Sequence, residues 1–268
     1  MMPIWKTTLR IRLVELEIAK RYGQLGGAQP MRCPVHLSIG QEWVAATVCA
    51  DLEPQDWIVA SHRNHAAYLA KGGDLKKMLA ELYGRPDGCC GGRGGSMHLM
   101  DVDAGVMWCD PIVGAGLGVA LGMARRIAET GENRVVVAFC GDAAVEEGIF
   151  HETINLARLW RLPLGIVIED NALSVDAEKK LRQTADFPEY PVLSANSRRR
   201  LRGDLKPFVA RAGVSRLCEH CGPRHGPNVE RLPLGFHEAP SEAEEILARG
   251  EILAEIETAF LAVEETPS

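Results

Sequence analysis

Two apolar strands joined by one helix constrain the fold of this chain more than any other segment does. Residues 135–140 and 164–168 are mostly aliphatic, and residues 147–161 between them have the length of a crossover helix. A strand, a helix and a strand in this order form a parallel βαβ unit, which is right-handed almost without exception. The pattern predicts the α/β class, with a mainly parallel sheet flanked by helices in three layers.

An acidic and an amide side chain end these two strands. Asp142 follows the first strand and Asn171 follows the second. Because parallel strands end at the same edge of a sheet, where open α/β sheets bind ligands, we expect both side chains at one cleft. Their hard oxygen atoms, with a carbonyl just beyond Asn171, suit half of an octahedral Mg²⁺ site. Diphosphate oxygens and water suit the other half.

Local pattern alone leaves two other interpretations of these residues open. Asp and Asn at strand ends are common turn formers and helix N-caps. Gly114, Gly116 and Gly118 open a helical stretch ahead of Asp142, as in a dinucleotide-binding fingerprint. The apolar run before Gly114 covers only residues 111–113, which is too short for the first strand that such a fingerprint requires.

Composition excludes several classes of function. The chain has 268 residues, 46% of them hydrophobic and 25% charged, so we expect a single domain over residues 1–268 with a sizeable core. The net charge of −6 gives no reason to expect nucleic acid or an anionic membrane as a partner. No apolar run reaches the roughly 18 residues of a membrane span, and no secretory h-region follows Met1. We therefore expect a cytoplasmic protein.

The cysteines point to reduced thiols, because eight cysteines in a chain of this size do not make a dense disulfide framework. Cys218 and Cys221, with His220 and His225 beside them, have the ligand types of a zinc site. The alternative is a loop whose cysteines have no catalytic role, since no second Cys-x-x-Cys pair is present.

Apolar periodicity and capping signals predict the remaining elements. Helices are expected over residues 9–22, 42–50, 75–82, 117–129 and 241–264, and a short strand over residues 57–60. Ser241 and Glu244 have the spacing of a capping box before the last helix. Residues 84–95 are rich in glycine and predict an irregular segment.

Several motifs, in order along the chain, resemble one protein family. They are Gly-Gln-Glu at residues 40–42, Ser-His-Arg-Asn-His at 61–65, Ala-Glu-Leu-Tyr-Gly-Arg at 80–85, Gly-Arg-Gly-Gly-Ser-Met-His at 92–98, Ile-Val-Gly-Ala at 112–115 and the Gly-Asp pair at 141–142 with its distant asparagine. The family is the alpha subunit of the two-subunit E1 component of 2-oxoacid dehydrogenases. The resemblance runs from about residue 9 to residue 176. It weakens over the divergent segment 177–240, where the chain is also shorter than the family pattern.

The resemblance implies a thiamine-diphosphate-binding fold and a site for thiamine diphosphate with Mg²⁺. The implied cofactor contacts are His62, Arg63, Val113, Gly114, Gly141, Asp142, Ala143, Ala144, Asn171 and His220. The implied metal ligands are Asp142, Asn171 and the carbonyl of Leu173. His220, in a loop at residues 216–223, and His62 are the implied catalytic residues. For His62 the alternative is a strand-end histidine that hydrogen-bonds the backbone.

Two positions depart from the family pattern at this site. Ala143 stands where the family has glycine, and Asp170 stands where it has asparagine. Asp170 adds a negative charge beside the metal ligands. Either change is of a kind that weakens cofactor affinity, but neither removes a metal ligand.

By the same resemblance, this chain holds half of an active site. In the family, the glutamate that activates the cofactor belongs to a beta subunit, and 268 residues leave no room for a second, pyrimidine-binding domain. We expect an α2β2 assembly that decarboxylates a small 2-oxoacid and passes the acyl or ketol unit to an acceptor such as a lipoyl carrier. The alternatives are a split transketolase-like transferase, a regulatory subunit that binds cofactor poorly, and a dinucleotide-binding protein.

Overall fold

The computed structural model describes residues 2–22, 31, 33–175, 177–184 and 240–265, and the backbone of residues 208–211. The α-helices span Ile4–Tyr22 (α1), Glu42–Cys49 (α2), His65–Lys71 (α3), Leu75–Leu82 (α4), Ala115–Thr130 (α5), Gly148–Leu159 (α6) and Glu242–Glu264 (α7). The strands span Trp57–Ser61 (β1), Val106–Asp110 (β2), Val136–Gly141 (β3), Leu164–Asp170 (β4), Leu173–Ser174 (β5), Ala177–Glu178 (β6) and Phe208–Arg211 (β7). Short 3₁₀ turns cover Gly95–Met97, Asp142–Glu146 and Lys179–Leu181.

Parallel strands form the central sheet in the order β2-β1-β3-β4-β7. From β1 the chain moves outward to β2, returns across β1 to β3, and then continues outward to β4 on the other side. The winding direction therefore reverses between β1 and β3. In open α/β sheets this switch point, at the carboxyl ends of the strands, is where ligands bind. Strands β5 and β6 form a separate antiparallel pair.

Helices cover both faces of the sheet, because alternate strand residues belong to different hydrophobic clusters. In β3, Val137 and Phe139 pack with α1 to α4 and α7, whereas Val136 and Ala138 pack with α5 and α6. Successive strand residues point to opposite faces, so the two clusters are the two sides of one sheet. Each fully buried aliphatic side chain contributes about 1.5–3 kcal/mol to this packing. The predicted three-layer α/β fold is confirmed.

The predicted helices are present, with different ends. Helix α1 begins at Ile4 rather than at residue 9, and α6 covers Gly148–Leu159 rather than residues 147–161. It ends before Arg161, whose φ of 51° is not that of a right-handed helix. The capping box of α7 is confirmed: Ser241 accepts from the Glu244 amide, and the Glu244 side chain accepts from the Ser241 amide. Helix α3 and strand β2 were not predicted, since each is too short to show a clear periodicity.

Buried Glu81 organises the glycine-rich segment that follows α4. Its Oε2 accepts from the amides of Cys90 and Gly92, both at 2.8 Å. Its Oε1 accepts from the amides of Gly94 and Gly95 at 2.7 and 3.0 Å. The segment is irregular, as predicted, and it is wrapped around one carboxylate whose four hydrogen bonds replace those of regular structure.

Some sequence predictions fall where the structure gives no description. His220, Cys218, Cys221 and His225 lie outside the described residues, and so does most of the divergent segment 177–240. The single-domain organisation over residues 1–268 therefore stays a prediction. Among the described helices, none combines the length and the apolar character needed to cross a bilayer.

Candidate cofactor and metal site

A cleft of about 390 Å³ opens at the carboxyl edge of the sheet. Its lining includes residues at the ends of four parallel strands: His62 and Arg63 after β1, Asp110 at the end of β2, Asp142 after β3 and Asn171 after β4. The cleft therefore lies at the switch point between β1 and β3, where the fold favours ligand binding.

Every predicted site residue that the structure describes lines this one cleft. These residues are His62, Arg63, Val113, Gly114, Gly141, Asp142, Ala143, Ala144, Asn171 and Leu173. The remaining predicted site residue, His220, lies outside the described part of the chain. The structure thus brings the residues together, while their roles toward a cofactor stay predictions.

His62 and Arg63 leave β1 side by side at the cleft. Arg63 Nη1 donates to the Leu37 carbonyl at 2.6 Å. The His62 ring meets the His36 ring edge-on, with centroids 5.2 Å apart. Burial, and then the charges of Arg63 and His36, lowers the pKa of His62 to about 3. His62 is therefore a neutral imidazole at physiological pH, able to donate or accept a hydrogen bond but not to act as a cation.

The glycines at the start of α5 have a packing role. Gly114 has a φ of 80°, and a Cβ there would lie 2.9 Å from Ile149 Cγ2. A Cβ on Gly116 would lie 3.0 Å from Val59 Cγ1. These glycines let α5 approach β1 and α6 closely. Residues 111–113 do not form a strand, in agreement with the short apolar run, but the unpredicted strand β2 ends just before them at Asp110. Close packing accounts for the glycines without a dinucleotide.

The chain leaves β3 through a 3₁₀ turn rather than directly into a helix. Ala143 and Ala144 lie in the turn Asp142–Glu146, and α6 begins only at Gly148. The resemblance implies that the amides of these two alanines face phosphate oxygens at the start of the crossover helix. That position is wrong, because both alanines precede α6. Both still line the cleft, but the aligned dipoles of a long helix do not begin at their amides.

Asp142 is buried and has a basic partner that was not predicted from the sequence. Its Oδ2 accepts from Arg182 Nη2 at 2.6 Å, and Arg182 also pairs with Glu146. Burial raises the pKa of the Asp142 carboxyl, and the hydrogen bond and charge of Arg182 oppose this shift. No local signal links residues this far apart in the sequence, so only the fold reveals the pair.

Asn171 closes a tight turn at the end of β4. Its Oδ1 accepts from the Leu173 amide at 2.9 Å, and Asp170 Oδ1 accepts from the Ala172 amide at the same distance. These are the local bonds of Asx turns. Ala172 has a φ of 61°, in the left-handed region that favours glycine. The turn places both Asn171 and Leu173 along the cleft.

The additional charge of Asp170 has its own counter-ion. Lys179 Nζ donates to Asp170 Oδ2 at 2.6 Å, and the Lys179 amide donates to the Ala172 carbonyl at 2.8 Å. The lysine offsets the negative charge that Asp170 places beside the predicted metal ligands. Weaker cofactor affinity caused by Asp170 stays a prediction.

Two buried polar residues of the cleft were also missed. Burial raises the pKa of Glu169 to about 8, against the lowering effect of Arg63, so its carboxyl carries a proton at neutral pH. Gln41 Oε1 is buried and has no hydrogen-bond partner among the described residues. An unpaired acceptor in such a place suits a donor on a bound molecule. The motif at residues 40–42 could have identified Gln41 as a site residue. Glu169 has no such signal, because it lies within the aliphatic strand β4.

The oxygen donors at this edge fit a hard divalent cation. Asp142 offers a carboxylate, Asn171 an amide oxygen and Leu173 a backbone carbonyl, with no sulfur or imidazole in the set. Mg²⁺ prefers such ligands together with phosphate oxygens. Arg63 supplies a planar cation in the same cleft, which suits a phosphate group.

Comparison with known proteins decides the family. The family described as dehydrogenase E1 component matches residues 12–187. The chain belongs to the dehydrogenase E1 component family. This confirms the resemblance to E1 alpha subunits that the motifs indicated. Membership implies thiamine diphosphate as the cofactor, and E1 alpha subunits pair with E1 beta subunits in the family.

Two of the similar proteins are alpha subunits of an oxidoreductase named for acetoin. The alpha subunit of acetoin:2,6-dichlorophenolindophenol oxidoreductase from Bacillus subtilis is 45% identical over 137 residues, which are 51% of this chain and 41% of the relative. The subunit of the same name from Cupriavidus necator is 38% identical over 152 residues, 57% of this chain and 46% of the relative.

A third relative is named for pyruvate. The pyruvate dehydrogenase E1 component subunit alpha of Rickettsia bellii is 38% identical over 173 residues, covering 64% of this chain and 51% of the relative. The chain thus spans about half the length of the curated relatives that it matches.

Proposed function

We propose that this chain is the alpha subunit of a thiamine-diphosphate-dependent E1 enzyme, which decarboxylates a small 2-oxoacid and transfers the acyl or ketol unit to an acceptor. One observation carries the proposal: Asp142, Asn171 and Leu173 line the same switch-point cleft as Arg63. Membership of the E1 family supports it, because that family uses the cofactor for which this set of groups is suited.

The proposed roles follow from the chemistry of each group. Asp142, Asn171 and the Leu173 carbonyl would hold Mg²⁺, and the Arg63 guanidinium would contact the diphosphate. Thiamine diphosphate, when bound, supplies the carbanion chemistry, and the protein binds and orients it. Neutral His62 is suited to hydrogen-bond a reacting group without adding charge. By the resemblance, His220 is the loop histidine that approaches the diphosphate and the reaction centre.

A beta-like subunit would complete the site. Ile112, Val113 and Val175 line the cleft and are more than half exposed, at 67, 51 and 53%. Apolar side chains grouped at the mouth of a cleft are typical of a surface that a partner covers. We propose an α2β2 assembly in which that partner supplies the activating glutamate, with a lipoyl or other carrier as the acceptor.

Acetoin is a second candidate substrate, favoured by the names of two relatives. Co-expression with a beta-like subunit, followed by assays with pyruvate and with acetoin, separates the two. Release of CO₂ from pyruvate supports a 2-oxoacid as the substrate. Formation of acetaldehyde from acetoin, together with reduction of an artificial electron acceptor, supports acetoin as the substrate. Product from neither substrate would contradict both assignments.

The cofactor site is tested by removing its carboxylate. We expect Asp142→Ala to weaken joint binding of thiamine diphosphate and Mg²⁺ by at least about a hundredfold, since loss of a metal ligand exceeds the tenfold to hundredfold effect of outer contacts. Calorimetry on the co-purified complex measures this. Glu152→Ala, which removes an exposed carboxylate from α6, is the matched control. Wild-type affinity in Asp142→Ala would overturn the proposed site.

A further inference from the structure

Two basic side chains from one short segment neutralise the carboxylates beside the candidate metal site. The segment comprises residues 177–184, here called the basic strap. Lys179 Nζ lies 2.6 Å from Asp170 Oδ2, and Arg182 Nη2 lies 2.6 Å from Asp142 Oδ2. The strap thereby joins the ends of β3 and β4.

Several contacts hold Arg182 in this place. Its other terminal nitrogen pairs with Glu146, and its Nε donates to the Ala177 carbonyl at 3.3 Å. Gln183 Nε2 donates to Glu146 at 2.9 Å and to the Asp142 carbonyl at 3.4 Å. The Arg182 side chain is only 13% exposed. The guanidinium is therefore held in a defined position at the candidate metal site.

Arg182 and a metal ion would compete for the same carboxylate. Mg²⁺ binds a carboxylate oxygen at about 2.0–2.1 Å, and Arg182 already takes one oxygen of Asp142. A divalent ion on either oxygen would lie within a few ångströms of the guanidinium. Like charges that close repel strongly, because a buried site screens them poorly.

We propose that Arg182 is a built-in counter-ion, which a divalent metal displaces from Asp142 when it binds. The inference rests on the proposed function, since it takes Asp142 as a metal ligand. Without metal, Arg182 keeps a buried carboxylate paired and avoids the cost of an isolated buried charge. With metal, the guanidinium leaves Asp142, and the strap stays attached through Lys179.

Metal titration of the full chain tests the competition. Mn²⁺ is added to the protein without cofactor, and free Mn²⁺ is measured by electron paramagnetic resonance. We expect Arg182→Gln to bind Mn²⁺ at least about tenfold more tightly than the wild type, because a repelling charge is gone. Arg182→Lys, which keeps the charge, should stay within about threefold of the wild type.

Lys179→Gln is the matched control. It removes the same charge from the same strap, but its partner is Asp170 rather than the metal ligand. We expect it to change Mn²⁺ affinity by less than about threefold. An equal gain in Mn²⁺ affinity in Lys179→Gln and Arg182→Gln would overturn the inference. The gain would then come from the loss of a positive charge anywhere on the strap, not from the release of Asp142.

Proteolysis gives a readout that a purely structural role would not move. Displacement of Arg182 exposes the bond before Gln183 to trypsin, so we expect Mn²⁺ to speed cleavage there in the wild type, as followed by mass spectrometry. Cleavage that is unchanged or slowed by Mn²⁺, or an Arg182→Gln protein that binds Mn²⁺ no more tightly than the wild type, contradicts the displacement.

Asp142→Asn separates this inference from the proposed function. With thiamine diphosphate present, loss of Mn²⁺ binding in Asp142→Asn supports the metal site. If Asp142→Asn loses Mn²⁺ binding but Arg182→Gln does not bind Mn²⁺ more tightly, the metal site stands and only the proposed displacement of Arg182 is wrong. If Asp142→Asn binds Mn²⁺ like the wild type, the proposed metal site fails as well.

Discussion

At the scale of single residues, the site combines groups whose charge is set by their surroundings. Burial keeps His62 neutral and Glu169 protonated, while Asp142 and Asp170 are paired with Arg182 and Lys179. Strand-end positions made Asp142 and Asn171 predictable from sequence. Their basic partners lie in a polar segment without periodicity, so only tertiary structure reveals them.

Neutral His62 gives the stability of the protein a defined pH dependence. Its pKa is lowered from 6.5 to about 3 in the folded chain, so the unfolded chain binds more protons between these values. Stability should therefore fall as the pH drops from 6.5 toward 3, by up to about 1.4 kcal/mol per pH unit. In His62→Asn this contribution should disappear.

Urea unfolding between pH 7 and pH 4 measures the effect. His151→Asn, on the exposed side of α6, is the control and should keep the wild-type pH profile. A His62→Asn protein whose stability falls with pH as steeply as that of the wild type would contradict a buried neutral histidine.

At the scale of elements, regular patterns were predictable and turns were not. Helix α7 shows its capping box in the sequence, and β3 and β4 show their aliphatic runs. Strand β2 was missed because Val106–Asp110 is short and includes polar and exposed positions. The 3₁₀ turn Asp142–Glu146 was not predicted, since a single 3₁₀ turn is too short to show a periodicity of its own.

Glu81 provides a test of how the glycine-rich segment is held. Glu81→Gln replaces one acceptor oxygen by a donor nitrogen, which then faces two amide donors that are partly or fully buried. Each unpaired buried amide costs about 1–3 kcal/mol, so we expect a loss of roughly 2–6 kcal/mol in the free energy of unfolding. Faster protease cleavage within residues 88–95 should accompany it.

Denaturant unfolding and limited proteolysis measure these two effects. Glu152→Gln removes one exposed charge and should stay within about 0.5 kcal/mol of the wild type. A Glu81→Gln protein as stable as that control would show that the carboxylate does not organise the segment.

At the scale of the whole molecule, the two-sided sheet accounts for a cleft that is open to a partner. Helices cover both faces, and a concave surface opens at the carboxyl edge over β1 and β3. The fold class follows from one βαβ unit in the sequence. The number of strands in the sheet could not be predicted, because β7, which pairs with β4, lies in a segment whose sequence lacks a clear strand pattern.

We expect a beta-like subunit to associate with the exposed apolar residues at the mouth of the cleft. Ile112→Asp puts a charge on a side chain that is 67% exposed, so the isolated chain should keep its stability. Burying that charge against a partner would be costly, and we expect at least about tenfold weaker association with a beta-like subunit. Analytical ultracentrifugation measures the dissociation constant.

Leu159→Asp, at an equally exposed site at the end of α6 and outside the lining of the cleft, is the control and should leave association unchanged. Undiminished association of the Ile112→Asp protein would place the partner elsewhere on the surface.

The walls of the cleft come from the tips of four strands that are distant in sequence, from His62 to Asn171. An unfolded chain scatters these tips, so whatever occupies the cleft is bound by the assembled sheet alone. A bound ligand therefore raises the melting temperature. At ligand concentrations above the dissociation constant, the increase grows with the logarithm of the ligand concentration. A thermal-shift screen of small phosphorylated molecules would thus report, in one measurement, both what the chain accepts and whether its sheet has formed.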